Sequence, residues 1–448
     1  MRAYRSSSDP AARRLSGQAR PRTYYTVEQS ATICQNYFAL EFELFTTLAG
    51  AVPVVADLEA KLALSHHLHS GMLRARELRA RLVDFLIPEP EQKVPERWAN
   101  FVRHLMTAPD DVTLLAALWR VIRPAQLHSY ERHLSTTLPV NDAPTAELLE
   151  RSLPGLRAEI DWGRDYLRRK EVPDTAGAFL AAIDEHLRAL GGPMGVLVPP
   201  DAATPACYPP WRPPERMALE SRFTLQSADR YTLPDWPEYE AIPTAYTHFT
   251  ELPVVDIIGV TVFDGRALQM PFEYFADFTR QLWDEARHTQ MGMERLQAFG
   301  IDPYAVPIPV GHYTVWANMP VLDRLASLTQ VGEACSFVPK RQWVAAAWKR
   351  RDALSALEHE YDIVDERMHV RFGARWIPEI AARVRDERPV KQIVQDADWA
   401  FRERINRLRQ QAGENWLEDL GERFKGCGTN TSPVSLAPAL DGIPNIIA

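Results

Sequence analysis

Two short segments 81 residues apart carry the same chemistry on the same helical period: "DEARH" (284–288) and "DERMH" (365–369). Residues three apart share one face of a helix, so Glu285 and His288 point the same way, as do Glu366 and His369. A single Glu-x-x-His is weak evidence, because a chain with 12 histidines should hold roughly one by chance. Two copies, each preceded by Asp and each set in an apolar helical pattern, are a tighter constraint. One carboxylate and one imidazole from each of two facing helices can converge on a pair of metal ions.

The surrounding sequence is helical. In "FEYFADFTRQLWDEARHTQMGMERLQAFG", Phe275, Phe278, Leu282, Met291 and Leu296 recur at helical spacing, and Gly300 falls where a C-terminal cap belongs. "DALSALEHEYDIVDERMHVRFGARWIPEI" opens on Asp352 as N-cap and is expected to break at Pro378. "YTHFTELPVVDIIGVTVF" and "MPVLDRLASLTQVGEACSF" read as buried helices. Strand signals are sparse, so the fold class is all-α.

A four-helix carboxylate site needs one more Glu from each remaining helix. Glu251 lies 34 residues before Glu285, and Glu333 lies 33 before Glu366, as two similar helical hairpins would give. Asp256 is the rival to Glu251 on its helix. The first turn is expected at "FDGRALQMP" (263–271), the second at "WKRRD" (348–352). Four carboxylates balance two divalent cations, so the loaded site is near neutral and can be buried. Hard oxygens with imidazole suit iron or manganese, and the lack of thiolate argues against structural zinc. A metal-bound histidine usually donates its other N–H to a carboxylate. Asp284 is therefore expected to support His369, and Asp365 to support His288, with Arg287 and Arg367 balancing the acids; the alternative is that both are solvated. His248 and His359 can face the same interior as relays, extra ligands or ordinary core histidines.

Composition bounds the rest. The chain has 448 residues, 46% hydrophobic and 25% charged, an ordinary globular balance long enough for more than one core. A net charge of −8 argues against a protein built to grip nucleic acid. Four scattered cysteines give neither a disulfide framework nor a zinc knuckle and fit a reducing cytoplasm. No apolar run was expected to reach the roughly 18 residues of a membrane span. Eight prolines in residues 193–214 exclude helix and central strand there. The organisation expected is a disordered basic tail over 1–23 (a transit peptide being the alternative), a helical domain over 24–192, a proline-rich linker over 193–238, a metal-binding helical domain over 239–425, and a tail over 426–448.

"DEARH" resembles the DExRH signature of bacterial multicomponent monooxygenases. The wider run of a Glu-bearing helix, "DEARH", "GEACSFVP" and "DERMHVRFGARW" is similar to a little-characterised ferritin-like group related to tRNA-hydroxylating enzymes. Over about residues 240–380, the resemblance implies a ferritin-like di-iron carboxylate bundle (extending over about 240–415) with Glu251, Glu285, His288, Glu333, Glu366 and His369 as ligands. It implies two iron ions, with Fe/Mn or Mn/Mn pairs as variants, and dioxygen as co-substrate. The activity expected is a non-haem di-iron oxygenase that hydroxylates, N-oxygenates or desaturates a small organic substrate, supplied by an external electron donor. Neither membrane nor nucleic acid is expected as a partner, and a homodimer is left open. The rivals are a ferroxidase or redox-protective iron or manganese protein, and a binding protein whose metals only staple the bundle. The N-terminal block echoes the same plan as a degenerate duplicate. In that echo His66 and His69 stand in the places of Glu285 and His288, and Glu131, then Glu159 and Trp162, follow the second hairpin.

Overall fold

The computed structural model describes residues 23–199, 203–223, 226–229 and 241–412. The expected basic tail before residue 23 and the tail over 426–448 lie outside the described residues. The described chain is all-α, with a single isolated bridge between Gln226 and Ile308 and no strand.

The first half contains α1 (Val27–Ala51), α2 (Leu58–Asp84), α3 (Glu96–Leu105), α4 (Asp111–Ala117), α5 (Arg123–Thr136), α6 (Ala143–Arg169) and α7 (Ala176–Ala189). Local chemistry starts these helices. Thr26 and Gln29 form a reciprocal capping box on α1, and Asp57 accepts from the Ala60 N–H on α2. The second half runs α8 (Ala241–Phe249), α9 (Leu252–Ala267), α10 (Phe272–Ala298), α11 (Val310–Ala317), α12 (Val321–Ser327), α13 (Phe337–Lys349), α14 (Ala353–Val384) and α15 (Val390–Ala412).

Several elements differ from the sequence reading. The segment read as one helix from Tyr246 onward is two, α8 and α9, because Pro253 in the first turn of α9 brings no N–H to continue the ladder. Asp264 and Gly265 do not make the hairpin turn. They lie inside α9, and Leu268–Pro271 turns the chain with Gln269 at φ 50°. Pro378 does not end α14, which runs on to Val384 and stops at Arg385 in the left-handed region. Losing one internal donor is tolerated in a helix packed along its length. Gly300 does take positive φ after α10, and the Ile301 N–H reaches back to Leu296.

The two halves share one hydrophobic core, with α1 laid on α9 and α2 on α10. The approach is backbone to backbone. A Cβ on Gly259 of α9 would sit 2.2 Å from the Ala49 carbonyl oxygen of α1. Helix α1 corrects one expectation. Val27–Val54 is long and apolar enough to span a membrane by composition, with an 18-residue window of mean hydropathy 1.2, yet 94% of that window is buried inside the protein. Residues 203–223 run extended over the surface, tied to α3 through Asn100 and Arg103 and to the α1–α2 connection through the Pro53 and Ala56 carbonyls.

Candidate metal centre

The six side chains singled out by spacing meet in the second half. Helix α10 brings Glu285 and His288, and α14 brings Glu366 and His369. Glu251 caps the break between α8 and α9. Glu333 closes a π-helical stretch, Leu328–Glu333, between α12 and α13. Such one-turn widenings recur at functional sites because they turn a side chain inward that a regular helix would carry past. All six residues are buried.

They fall into two adjoining triads, Glu251–His288–Glu366 and Glu285–Glu333–His369, each with its ligand atoms within 4.8 Å of one another. His288 Nδ1 lies 3.1 Å from Glu251 Oε2 and 3.7 Å from Glu285 Oε2. His369 Nδ1 lies 3.3 Å from Glu285 Oε1 and 3.7 Å from Glu366 Oε2. Glu285 thus turns one oxygen to each imidazole, as a bridging carboxylate does. Asp256, the rival to Glu251, is 0% exposed and committed elsewhere, its Oδ2 2.6 Å from Lys61 Nζ of α2.

Each imidazole presents Nδ1 to the acids and Nε2 to an aspartate of the facing helix. His369 Nε2 is 3.3 Å from Asp284 Oδ2, and His288 Nε2 is 3.3 Å from Asp365 Oδ2. Neither acid is solvated. Arg287 donates to both, with Nη1 2.9 Å from Asp284 Oδ1 and Nη2 on Asp365 Oδ2. Arg280 is the second cation on these acids, its Nε 2.9 Å from Asp284.

Three buried polar residues were missed. Gln281, one turn before Glu285, donates to Glu333 Oε1 at 2.6 Å. Lys340, seven residues after Glu333, donates to Asp362 Oδ1 and Glu366 Oε1 at 2.7 Å each. Asp362, one turn before Glu366, also approaches His248 Nε2 at 3.1 Å, and His359 Nδ1 lies 3.3 Å from that nitrogen. Helical spacing from the motif acids was the signal available for all three. His248, His359 and Asp362 form a third convergent group.

Charge decides what the site can hold. Glu251, Glu285, Glu333, Glu366 and Asp362 carry five negative charges when ionised, against one from Lys340. Two divalent cations would close that balance, and a third at the His248 group would overshoot it. Without metal, protons serve. Burial opposes a charged imidazole, yet Asp362, Asp365 and Glu251 hold His288 well above its usual range. Burial and the hydrogen bond to Asp284, with Glu285 and Glu366, set the opposing effects on His369, and the acids win. Burial and then Glu366 push the Glu333 carboxyl well up. Among the buried atoms without a hydrogen-bond partner are Glu333 Oε2, Glu366 Oε2 and His369 Nδ1. One triad supplies two of these and the other the third, so the donor set fits hard divalent metal ions.

The first half repeats this plan with different charges. Leu118–Ile122 is π-helical and leads into Arg123, 210 residues before the stretch that ends in Glu333. A Cβ on Gly163 would strike Trp119, and one on Gly373 would strike Thr329, the same pair of positions at the same offset. Counted from helix starts, Gly71 and Arg74 of α2 match Glu285 and His288, while Leu156 and Glu159 of α6 match Glu366 and His369. The residues matched from sequence were therefore out of register, since apolar helices align about as well one turn along. Glu131 is exposed and pairs with Arg157. His69 stacks on Trp283 at 4.7 Å, and His67 packs against Trp119 and Trp162. In the core, Arg123 reaches Glu159 Oε1 at 2.7 Å and Glu41 Oε2 at 2.9 Å, and Arg74 joins the same two acids. Two guanidinium groups stand where the second half gathers its candidate metal-binding groups.

Residues 244–418 match the model of a family described as a protein of unknown function, DUF455. No curated protein and no solved structure matches the chain. The matched stretch contains all six triad residues together with Lys340 and Asp362.

Proposed function

We propose that the chain is a non-haem di-iron oxygenase whose second half is a ferritin-like four-helix bundle, and that its first half is a duplicate which has exchanged metal ligands for two arginines. The observation that carries this reading is the pair of buried triads, in which four carboxylates and two imidazoles from four separate segments converge with unpartnered oxygens and a nitrogen between them. Iron fits the donors best, and manganese in one or both positions fits the same oxygens and imidazoles.

Bound ferrous ions would supply the electrons and open positions that reduce dioxygen, which protein side chains lack. The chain does the rest. Asp284 and Asp365 accept the Nε2 protons of His369 and His288, leaving each Nδ1 lone pair for the metal side. Lys340 holds the fifth acid and the end of Glu366, so the loaded core is neutral. Phe278 and Phe372 close the side next to His369 and keep water from competing with an organic substrate. Electrons would come from an external donor.

Anaerobic titration with ferrous iron should saturate at two ions per chain, and mixing with oxygen should then give a transient absorption absent in Glu285→Ala. Saturation below two ions with no oxygen-dependent absorption would overturn the assignment.

A further inference from the structure

On the side of α10 turned away from the triads lies a cavity of about 720 Å³ between the two halves of the protein. The helix carries two stripes. Gln281, Glu285 and His288 face the metal centre, while Trp283, Ala286, Arg287, Gln290, Met293 and Gln297 line the cavity. A volume of that size is typical of a small-molecule site. Its wall sets Trp162, Trp283 and Tyr304 beside polar groups, among them two guanidinium groups, Arg222 and Arg287.

Arg287 is common to both stripes. Its side chain is 25% exposed and forms part of the cavity wall. Its terminal nitrogens hold Asp284 and Asp365, the two acids that orient His369 and His288. A guanidinium has five N–H donors in a rigid fork, and these two contacts use two of them. The wall's one acid, Glu59, is already engaged by Arg169. An acceptor arriving from the cavity side therefore meets the Arg287 donors that Asp284 and Asp365 leave, with the guanidinium of Arg222 in the same wall.

We propose that this cavity is a ligand site for a planar aromatic carboxylate, its ring against the aromatic side of the wall and its carboxylate on Arg287, and that the ligand reports to both metal positions through that arginine. The ring fits the aromatic wall, and the carboxylate matches the planar donor fork. Because the backbone of α10 stands between cavity and triads, the ligand acts on the centre by shifting Arg287 relative to Asp284 and Asp365. The metal coupling rests on the di-iron reading; the binding site itself does not.

The test is calorimetric titration of the full chain with 2-naphthoate, metal-free and loaded with Mn(II), alongside 2-naphthalenemethanol as the uncharged control. One naphthoate should bind per metal-free chain and quench tryptophan fluorescence, with the alcohol about tenfold weaker, the difference one charge-assisted contact makes. Ala63→Trp, which adds bulk at another lining residue, and Arg287→Gln should each weaken naphthoate by at least about tenfold. By reciprocity the loaded protein should bind naphthoate with a different affinity, about fivefold or more. Absence of saturable binding, indifference to Ala63→Trp, or equal affinity for acid and alcohol would overturn the site. Equal affinity in loaded and metal-free protein would overturn the coupling. A chain that takes up no Mn(II) or iron but still binds naphthoate would sink the di-iron reading and leave the cavity standing.

Discussion

Arg123 and Glu333 lie 210 residues apart, Arg123 directly after the π-helical stretch Leu118–Ile122 and Glu333 at the end of Leu328–Glu333. One is a buried cation between Glu41 and Glu159, the other a buried acid beside Glu285 and His369. The exchange of sign makes the first half self-neutralising. Arg123→Met would leave two buried carboxylates with only Arg74 between them, and such a loss costs about 3–5 kcal/mol. Urea unfolding followed by circular dichroism should show it, with the metal content of the folded protein unchanged. A cost below about 1 kcal/mol, the scale of a surface pair, would mean the network is not what holds this core.

Glu333 should behave in the opposite way. Burial and Glu366 press it toward its protonated form, so it strains the metal-free protein rather than supporting it. Glu333→Gln keeps the shape and removes the repulsion. The metal-free variant should melt at or above the wild-type temperature, while the rise in melting temperature on adding Fe(II) or Mn(II) should vanish. Thermal scans with and without metal measure both. A lower melting temperature without metal would assign Glu333 a purely structural role.

Asp284→Asn and Asp365→Asn test the supports rather than the ligands. An amide can accept from an imidazole but does not raise its basicity, and loss of such an acid lowers metal affinity about 10–100-fold. Competition with a metal-sensitive chelator dye should show this for both variants, with far-UV spectra unchanged. Unaltered affinity would detach these acids from the centre.

Acid stability offers a fourth check. Burial opposes ionisation of Glu159, but Arg123 and Arg74 hold its carboxyl at about 2, below the ordinary 4.5. A depressed folded-state value means stability that is complete above pH 4.5 and drains away as pH falls toward 2. Over that window the folded state resists protonation that the unfolded chain accepts, a loss on the order of 3 kcal/mol. Denaturant midpoints measured from pH 5 to 2.5 should fall more steeply in wild type than in Glu159→Gln.

The sequence carried the fold class and the faces that bear the candidate ligands, because helical spacing alone sets which residues share a side. Glu285 with His288, and Glu366 with His369, needed only the 3.6-residue period. Glu251 and Glu333 needed the further idea of two like hairpins, and the break at Pro253 and the π-helical stretch at Leu328–Glu333 could not be read that way. Lys340 and Asp362 were hidden because a lone lysine or aspartate in a helical segment looks solvated until burial is known. The register of the first half slipped for a similar reason. With no acid or imidazole kept at Gly71 and Leu156, apolar patterning offered several alignments, and only the guanidinium network fixes one.

The contact between Gly259 and the Ala49 carbonyl leaves room for neither a side chain nor a water layer between α1 and α9. Each half is therefore the other's missing wall. Gene truncation that discarded the first half would strip the scaffold from behind α9 and α10, which carry or adjoin one side of the candidate centre.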